Sequence, residues 1–155
     1  MIKTVSLELA KQLKEAGFPQ ETAFSWVKPK EAMEYVLWHE RQLTSDEVKD
    51  WDDIAAPTAE EILDELPWKI EKIWKAPNGN EIKDWYLEIY KHDFDKKIGN
   101  SDKWNIVYSE GQVNWIHLSD QSLAEAAGKM YIYLKKQGLL KGEDPSASSG
   151  QGGRE

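Results

Sequence analysis

The spacing of apolar positions changes several times along the chain, and each change marks an element. Over residues 5–16, Leu9, Ala10 and Leu13 recur at helical spacing with charged residues between them. This predicts an amphipathic helix. Ser6 is placed to cap it, Gly17 to follow as the C′ residue, and Pro19 to prevent its continuation. Residues 24–28 and 33–40 predict two strands, and the short link Pro29-Lys30-Glu31-Ala32 predicts an antiparallel hairpin. In the second strand Met33, Tyr35 and Leu37 alternate with Glu34, Val36 and Trp38. With apolar residues on both faces, that strand is either covered twice or turns Trp38 toward a partner. Residues 44–53 are polar and acidic and read as a loop with room for one helical turn.

The clearest local signal is Pro57-Thr58-Ala59-Glu60-Glu61. Thr58 reads as an N-cap and Glu61, three residues on, completes a capping box. Ile62, Leu63 and Leu66 give this helix its buried face, and Pro67 ends it. Residues 69–75 and 81–92 read as strands joined around Pro77-Asn78-Gly79-Asn80, where Asn-Gly predicts a type I′ turn. Residues 104–108 and 112–118 form another hairpin, turning near Glu110-Gly111. Ser122 and Glu125 read as a second capping box, opening a helix whose stripe is Leu123, Ala126, Ala127, Met130 and Leu134, closed by Gly138.

The predicted order is α-β-β-α-β-β-β-β-α. It implies an α+β fold with three helices and a largely antiparallel, sandwich-like sheet of about five to six strands. Residues 1–141 are expected to form a single domain. The small, polar run GEDPSASSGQGGRE at 142–155 is expected to be a disordered tail, because it offers no apolar surface to offset its ordering entropy.

Composition narrows the chemistry. None of the 155 residues is cysteine, which removes disulfides, thiolate metal sites and thiol catalysis together and suits a reducing cytoplasm. No apolar run is long enough to span a membrane, and MIKTVSLELAKQLKEAG lacks the apolar core of a signal peptide. The net charge of −8 disfavours nucleic-acid binding and suits a partner with a basic surface. Eight tryptophans supply either core volume or contact surface.

Three stretches are familiar in combination: LAKQLKEAGFPQ at 9–20, AAPTAEEILDELP at 55–67 and SLAEAAGKMYIYLKKQGLL at 122–140. With strand pairs between them, the arrangement resembles a group of small conserved phage and prophage proteins of unknown function. The resemblance spans residues 2–141 and implies a phage or prophage origin and an α+β domain. It implies no catalytic residue.

Candidate chemistry is sparse. His92-Asp93-Phe94-Asp95 holds metal-ligating residue types, but nothing nominates the remaining ligands and the run reads as a polar turn. His39 and His117 fall in strand-like stretches. Ser119 and Asp120 follow His117, as in a strand-to-helix turn rather than a hydrolytic triad. The paired acids Asp52-Asp53, Glu60-Glu61 and Asp64-Glu65 are neighbours rather than opposed groups, and no phosphate-binding glycine loop occurs. No catalytic residue, metal ligand or cofactor is therefore assigned.

Two features suggest binding. Residues 46–65 carry nine acids against Lys49, a charge density able to imitate a nucleic-acid backbone in the basic groove of a host protein. In the long strand, Trp85, Leu87 and Ile89 share the expected core face. Tyr86 and Tyr90 share the other with Asp84 and Glu88, and Trp38 and Trp74 join it if the pairing register allows. The binding residues expected are Trp38, Asp52, Asp53, Trp74, Tyr86 and Tyr90. The resulting expectation is a non-enzymatic, cytoplasmic phage accessory protein that inhibits a host defence protein or engages a phage one. The alternative is a binder of nucleotide-like small ligands, using the aromatics with Lys72, Lys75, Lys83 and Lys91. A metal-assisted hydrolase ranks last. Open hairpin edges also permit a homodimer.

Overall fold

The structure is a computed structural model and describes residues 3–39, 50–91 and 103–140. The tail from 142 onward and the His92–Asp95 run lie outside the described residues. The fold is α+β, with three helices and seven strands among the described residues. Helix α1 is Leu7–Glu15, followed by β1 (Phe24–Lys28), β2 (Val36–His39) and β3 (Asp52–Ala55). Helix α2 is Ala59–Glu65; then come β4 (Lys69–Lys75), β5 (Glu81–Lys91), β6 (Trp104–Glu110), β7 (Val113–Asp120) and α3 (Leu123–Gln137).

Every strand pairing is antiparallel, but the strands form two sheets rather than the single sandwich-like one expected. One has the order β2-β1-β3 and the other β4-β5-β6-β7. The division follows from β3, whose first two residues fall at the end of the loop expected over 44–53. Asp52 and Asp53 hid it, yet Ile54 and Ala55 bury their side chains and pair with Trp26 and Ser25. Strand β1 is thereby flanked on both edges and has no free side for β4.

The helices begin as the caps dictate. Ser6 Oγ accepts the Leu9 amide at 3.3 Å. Thr58 Oγ1 accepts the Glu61 amide at 3.3 Å, while Glu61 returns a carboxylate oxygen to the Thr58 amide at 2.8 Å. The second capping box is only half formed. Ser122 accepts the Glu125 amide, but the Glu125 carboxylate turns away and accepts the Ser6 amide instead. It thus ties the start of α1 to α3. The Ser122 amide is satisfied by Asp120 Oδ1 at 3.1 Å.

The Asn-Gly turn also departs from the expected type. A type I′ turn needs positive φ at both central residues, and no described non-glycine residue has it. Pro77, with φ held near about −65°, takes the second position of a turn closed by the Gly79 amide on the Ala76 carbonyl at 3.0 Å. Gly79 alone turns left-handed, at φ 87°, and Ala76 bonds Asn80 across a three-residue loop.

Helix α3 is the centre of the packing and contacts α1, α2, β6 and β7. Its small residues Ala124, Ala126, Ala127 and Gly128 let its neighbours approach. A Cβ on Gly128 would lie 2.7 Å from Leu9 Cδ2, so only hydrogen fits beneath α1 as packed. Ile70, Trp85, Ile106, Tyr108 and Ile116 complete the core from the four-stranded sheet. The Tyr108 hydroxyl donates to the Pro67 carbonyl at 2.5 Å, and burial pushes its pKa up, so it stays a donor. Strand β2 is shorter than expected, with Val36 and Leu37 exposed, Trp38 and His39 half-buried, and Met33 96% exposed ahead of it.

At the junction of β7 and α3, burial raises the Asp120 pKa. Its hydrogen bonds from Lys129 Nζ at 2.7 Å and from the Ser122 amide outweigh that and hold the carboxyl below its usual range. A folded-state pKa below the unfolded one stabilises the fold above the unfolded value and ceases to do so as pH falls through the folded one. Asp120→Asn is therefore expected to lower the urea midpoint near neutral pH. The gap from wild type should close in acid; a gap that persists there would contradict this coupling.

Candidate functional site

The six expected binding residues divide between the two sheets. Trp38 lies on β2 opposite Ser25, half-buried, with its ring 5.6 Å from Trp51 and perpendicular to it. Asp52 and Asp53 project from β3, both exposed. Asp52 lies 3.7 Å from Lys28 Nζ and accepts the Tyr35 hydroxyl at 3.5 Å. Lys11 and Lys28 both stand over the Tyr35 ring, at 5.4 and 5.5 Å. Lys14 donates to the Asp53 carbonyl at 3.1 Å, which leaves the Asp53 carboxylate to solvent. Because β1–β3 form their own sheet, Trp38 does not join the tyrosine face of β5. The register keeps those two surfaces separate.

The acids around β3 and α2 are mostly unpaired. Asp50, Asp52, Asp53, Glu60, Asp64 and Glu65 are exposed. Among them only Asp52 has an ion-pair partner among the described residues. Glu61 is withdrawn from this surface, because its carboxylate closes the capping box and also accepts the Ala23 amide at 2.8 Å. Asp46 and Glu47 lie outside the described residues.

On β5 the faces divide as the alternation predicts. Trp85 is buried, Leu87 packs against the core, and Ile89 at the strand's far end is exposed. Tyr86 and Tyr90 point to the other face. Trp74 sits on the edge strand β4 opposite Ile82, beyond a bulge between Glu71 and Trp74, with its ring 6.4 Å from Trp85. Three of the four lysines expected to hold a phosphate are engaged elsewhere: Lys75 pairs with Glu81 at 3.3 Å, and Lys72 and Lys91 stand over Trp115 and Trp104, while Lys83 lines the concavity beside Tyr86.

A surface missed by sequence reading lies beside Tyr86. A concavity of about 320 Å³ is lined by Glu81, Ile82, Lys83, Asp84, Tyr86 and Glu110. Trp68, 69% exposed, places its ring 6.0 Å from that of Tyr86. Lys69 Nζ lies 5.8 Å from the Trp68 ring centroid, 2.7 Å from Glu71 and 3.7 Å from Asp84. Its hydrogen bond with Glu71 raises the lysine pKa and lowers that of the carboxyl. Trp68 gave no sequence signal, since a residue between a helix-ending proline and a strand has no periodicity to place it.

Among the described residues, His39 and His117 do not assemble a catalytic group. His117 Nε2 lies 2.7 Å from Asn105 Oδ1 across the sheet, while Asp120 is engaged with Lys129 and Ser122. The His39 ring stands edge-on to Phe24. Among the described residues no three His, Cys, Asp or Glu side chains group as metal ligands, and no helix is long and apolar enough to cross a membrane. No protein-family model, curated protein or solved structure matches the chain.

Proposed function

We propose that the protein is a non-enzymatic accessory factor of phage type, whose acidic surface engages a basic site on a host protein, such as a defence protein. The observation that supports this reading is the exposed charge of β3 and α2. Asp50, Asp53, Glu60, Asp64 and Glu65 face solvent without an ion-pair partner among the described residues. Asp53 is carried by strand β3, and Glu60, Asp64 and Glu65 by a capped helix. Carboxylates displayed in this way steer a basic partner. The phage origin rests on the resemblance of the three helical stretches.

Affinity capture from bacterial lysate tests the reading, using wild type and the Asp53→Lys/Asp64→Lys variant at low and high salt. The expected result is one basic-surfaced protein held by wild type at low salt, released at high salt and absent from the variant. Screening shortens the reach of exposed charges to about 8 Å at physiological ionic strength, so release by salt is intrinsic to the mechanism. Capture that is indifferent to both salt and charge reversal, or no capture at all, would sink it.

A further inference from the structure

We propose that Asn78, at the tip of the β4–β5 hairpin, is a self-modifying site that converts to aspartate and isoaspartate with water as its only co-reactant, and so loosens the edge of the four-stranded sheet. The inference concerns this hairpin alone and stands apart from the partner proposed above. In Pro77-Asn78-Gly79-Asn80, the side-chain amide of Asn78 precedes the one residue type that carries no side chain. The backbone nitrogen of the following residue is the nearest internal nucleophile to an asparagine Cγ, since the two close a five-membered ring. A Cβ on that residue crowds the approach, and glycine has none. The space around Gly79 is open as well: even a Cβ built there would meet no atom within 4 Å.

The turn adds to what the dipeptide supplies. Pro77, Asn78, Gly79 and Asn80 are all exposed, so hydroxide and water reach them. The Asn80 amide donates to Asn78 Oδ1 at 3.1 Å. That oxygen gains negative charge as the ring closes, and a backbone N–H already aimed at it stabilises the charge. Gly79, at φ 87°, swings its peptide through conformations closed to other residues. One bond opposes the reaction: the Gly79 amide donates to the Ala76 carbonyl at 3.0 Å and must be released before its nitrogen attacks. At a hairpin tip such opening is local and costs far less than unfolding. The other described asparagines lack this combination. Asn80 precedes Glu81, which is paired with Lys75 in β5. Asn105 and Asn114 lie within β6 and β7 and precede Ile106 and Trp115.

The steps balance without an oxidant or reductant. The Gly79 nitrogen gives its proton to hydroxide and bonds to Asn78 Cγ. The Cγ–Nδ2 bond breaks, and Nδ2 takes a proton from water and leaves as ammonia. One water then opens the cyclic imide. Cleavage between Cγ and the Gly79 nitrogen restores the normal backbone with an aspartate side chain. Cleavage between the main-chain carbonyl and that nitrogen leaves isoaspartate, whose chain runs through Cγ and is one carbon longer. Either product takes the net charge one unit below −8. Aspartate keeps an oxygen for the Asn80 amide. Isoaspartate lengthens a loop that is closed by the Ala76 amide on the Asn80 carbonyl at 2.8 Å, beside the Lys75–Glu81 ion pair at 3.3 Å. It therefore spreads the first residue pairs of β4, the edge strand, from β5.

The test is incubation of the full chain in mildly alkaline buffer, followed by peptide mapping with mass spectrometry and by labelling with an isoaspartyl methyltransferase. A free peptide of residues 74–82 in the same buffer serves as the clock. By the time the peptide is fully converted, the chain is expected to show at Asn78 the mass gain of –NH2 replaced by –OH, together with a methyl-accepting isoaspartate. Asn80, Asn105 and Asn114 should be unchanged. Asn78→Gln, whose longer side chain must close a six-membered ring, should show no mass gain at this position. An unmodified Asn78, equally fast conversion at Asn80, Asn105 or Asn114, or the same mass gain in Asn78→Gln overturns the site. The loosening of the sheet is read from urea midpoints. Asn78→Asp should match fresh wild type, and the isoaspartyl fraction separated from aged protein should fall below both. If that fraction and Asn78→Asp unfold together, isoaspartate does not loosen the edge and that part of the proposal is overturned.

Discussion

Trp85→Ala is expected to destabilise the fold by about 3–5 kcal/mol, read as a fall in the urea midpoint. Trp85 is 1% exposed on β5, opposite Ile70. Its ring lies 5.3 Å from Trp115 and 6.4 Å from Trp74. Its indole N–H donates to the Lys72 carbonyl at 2.9 Å, closing the bulged part of β4 onto β5. Truncation removes the largest fully buried side chain, opens a void among neighbours held by backbone pairing, and frees the edge strand. Domains of this kind are stable by only about 5–15 kcal/mol, so the variant should be partly unfolded at moderate temperature. Trp85→Phe keeps a ring in the site and should lose distinctly less. A loss below about 1 kcal/mol for Trp85→Ala, the size of an ordinary surface change, would mean that this end of the sheet is not core.

Glu61→Ala should follow in size, with a loss of about 2–3 kcal/mol. One Glu61 oxygen accepts the Thr58 amide at 2.8 Å and the other accepts the Ala23 amide at 2.8 Å. The residue thus completes the cap of α2 and fastens that helix to the chain entering β1. Alanine leaves two half-buried amides without their acceptor, which costs more than the loss of an exposed ion pair. Glu60→Ala, one position away and exposed, is the control and should change stability by no more than about 0.5 kcal/mol. Equal effects in chemical denaturation of the two variants would show that the carboxylate bridge contributes nothing.

Glu61 also marks how far sequence reading reached into the candidate site. Its place in the capping box was legible in the local pattern, whereas its second bond, from the Ala23 amide 38 residues away, was not. The acidic run around it concealed β3, because two leading aspartates and a single isoleucine carry no strand signature until β1 is there to pair with them. Tyr86 and Tyr90 were placed correctly, since alternation within one strand fixes which side chains share a face. Their company was not. Trp38 belongs to another sheet, and Trp68 and Ser109 come beside Tyr86 only through the pairing of β4, β5 and β6.

By itself the sequence determined what is local: the α+β class, the three helices with their caps, the position of most strands and the antiparallel hairpins. Caps and turns involve residues within about four positions of each other, and periodicity is a property of one element. Tertiary structure decided the partition into two sheets, the turn of Glu125 from its own cap to α1, the close approach of Leu9 to Gly128, and the surface beside Tyr86. Each of these depends on which distant segment fills a free strand edge or reaches an unpaired amide first. That choice is set by the packing of the whole chain, and no window of neighbouring residues contains it.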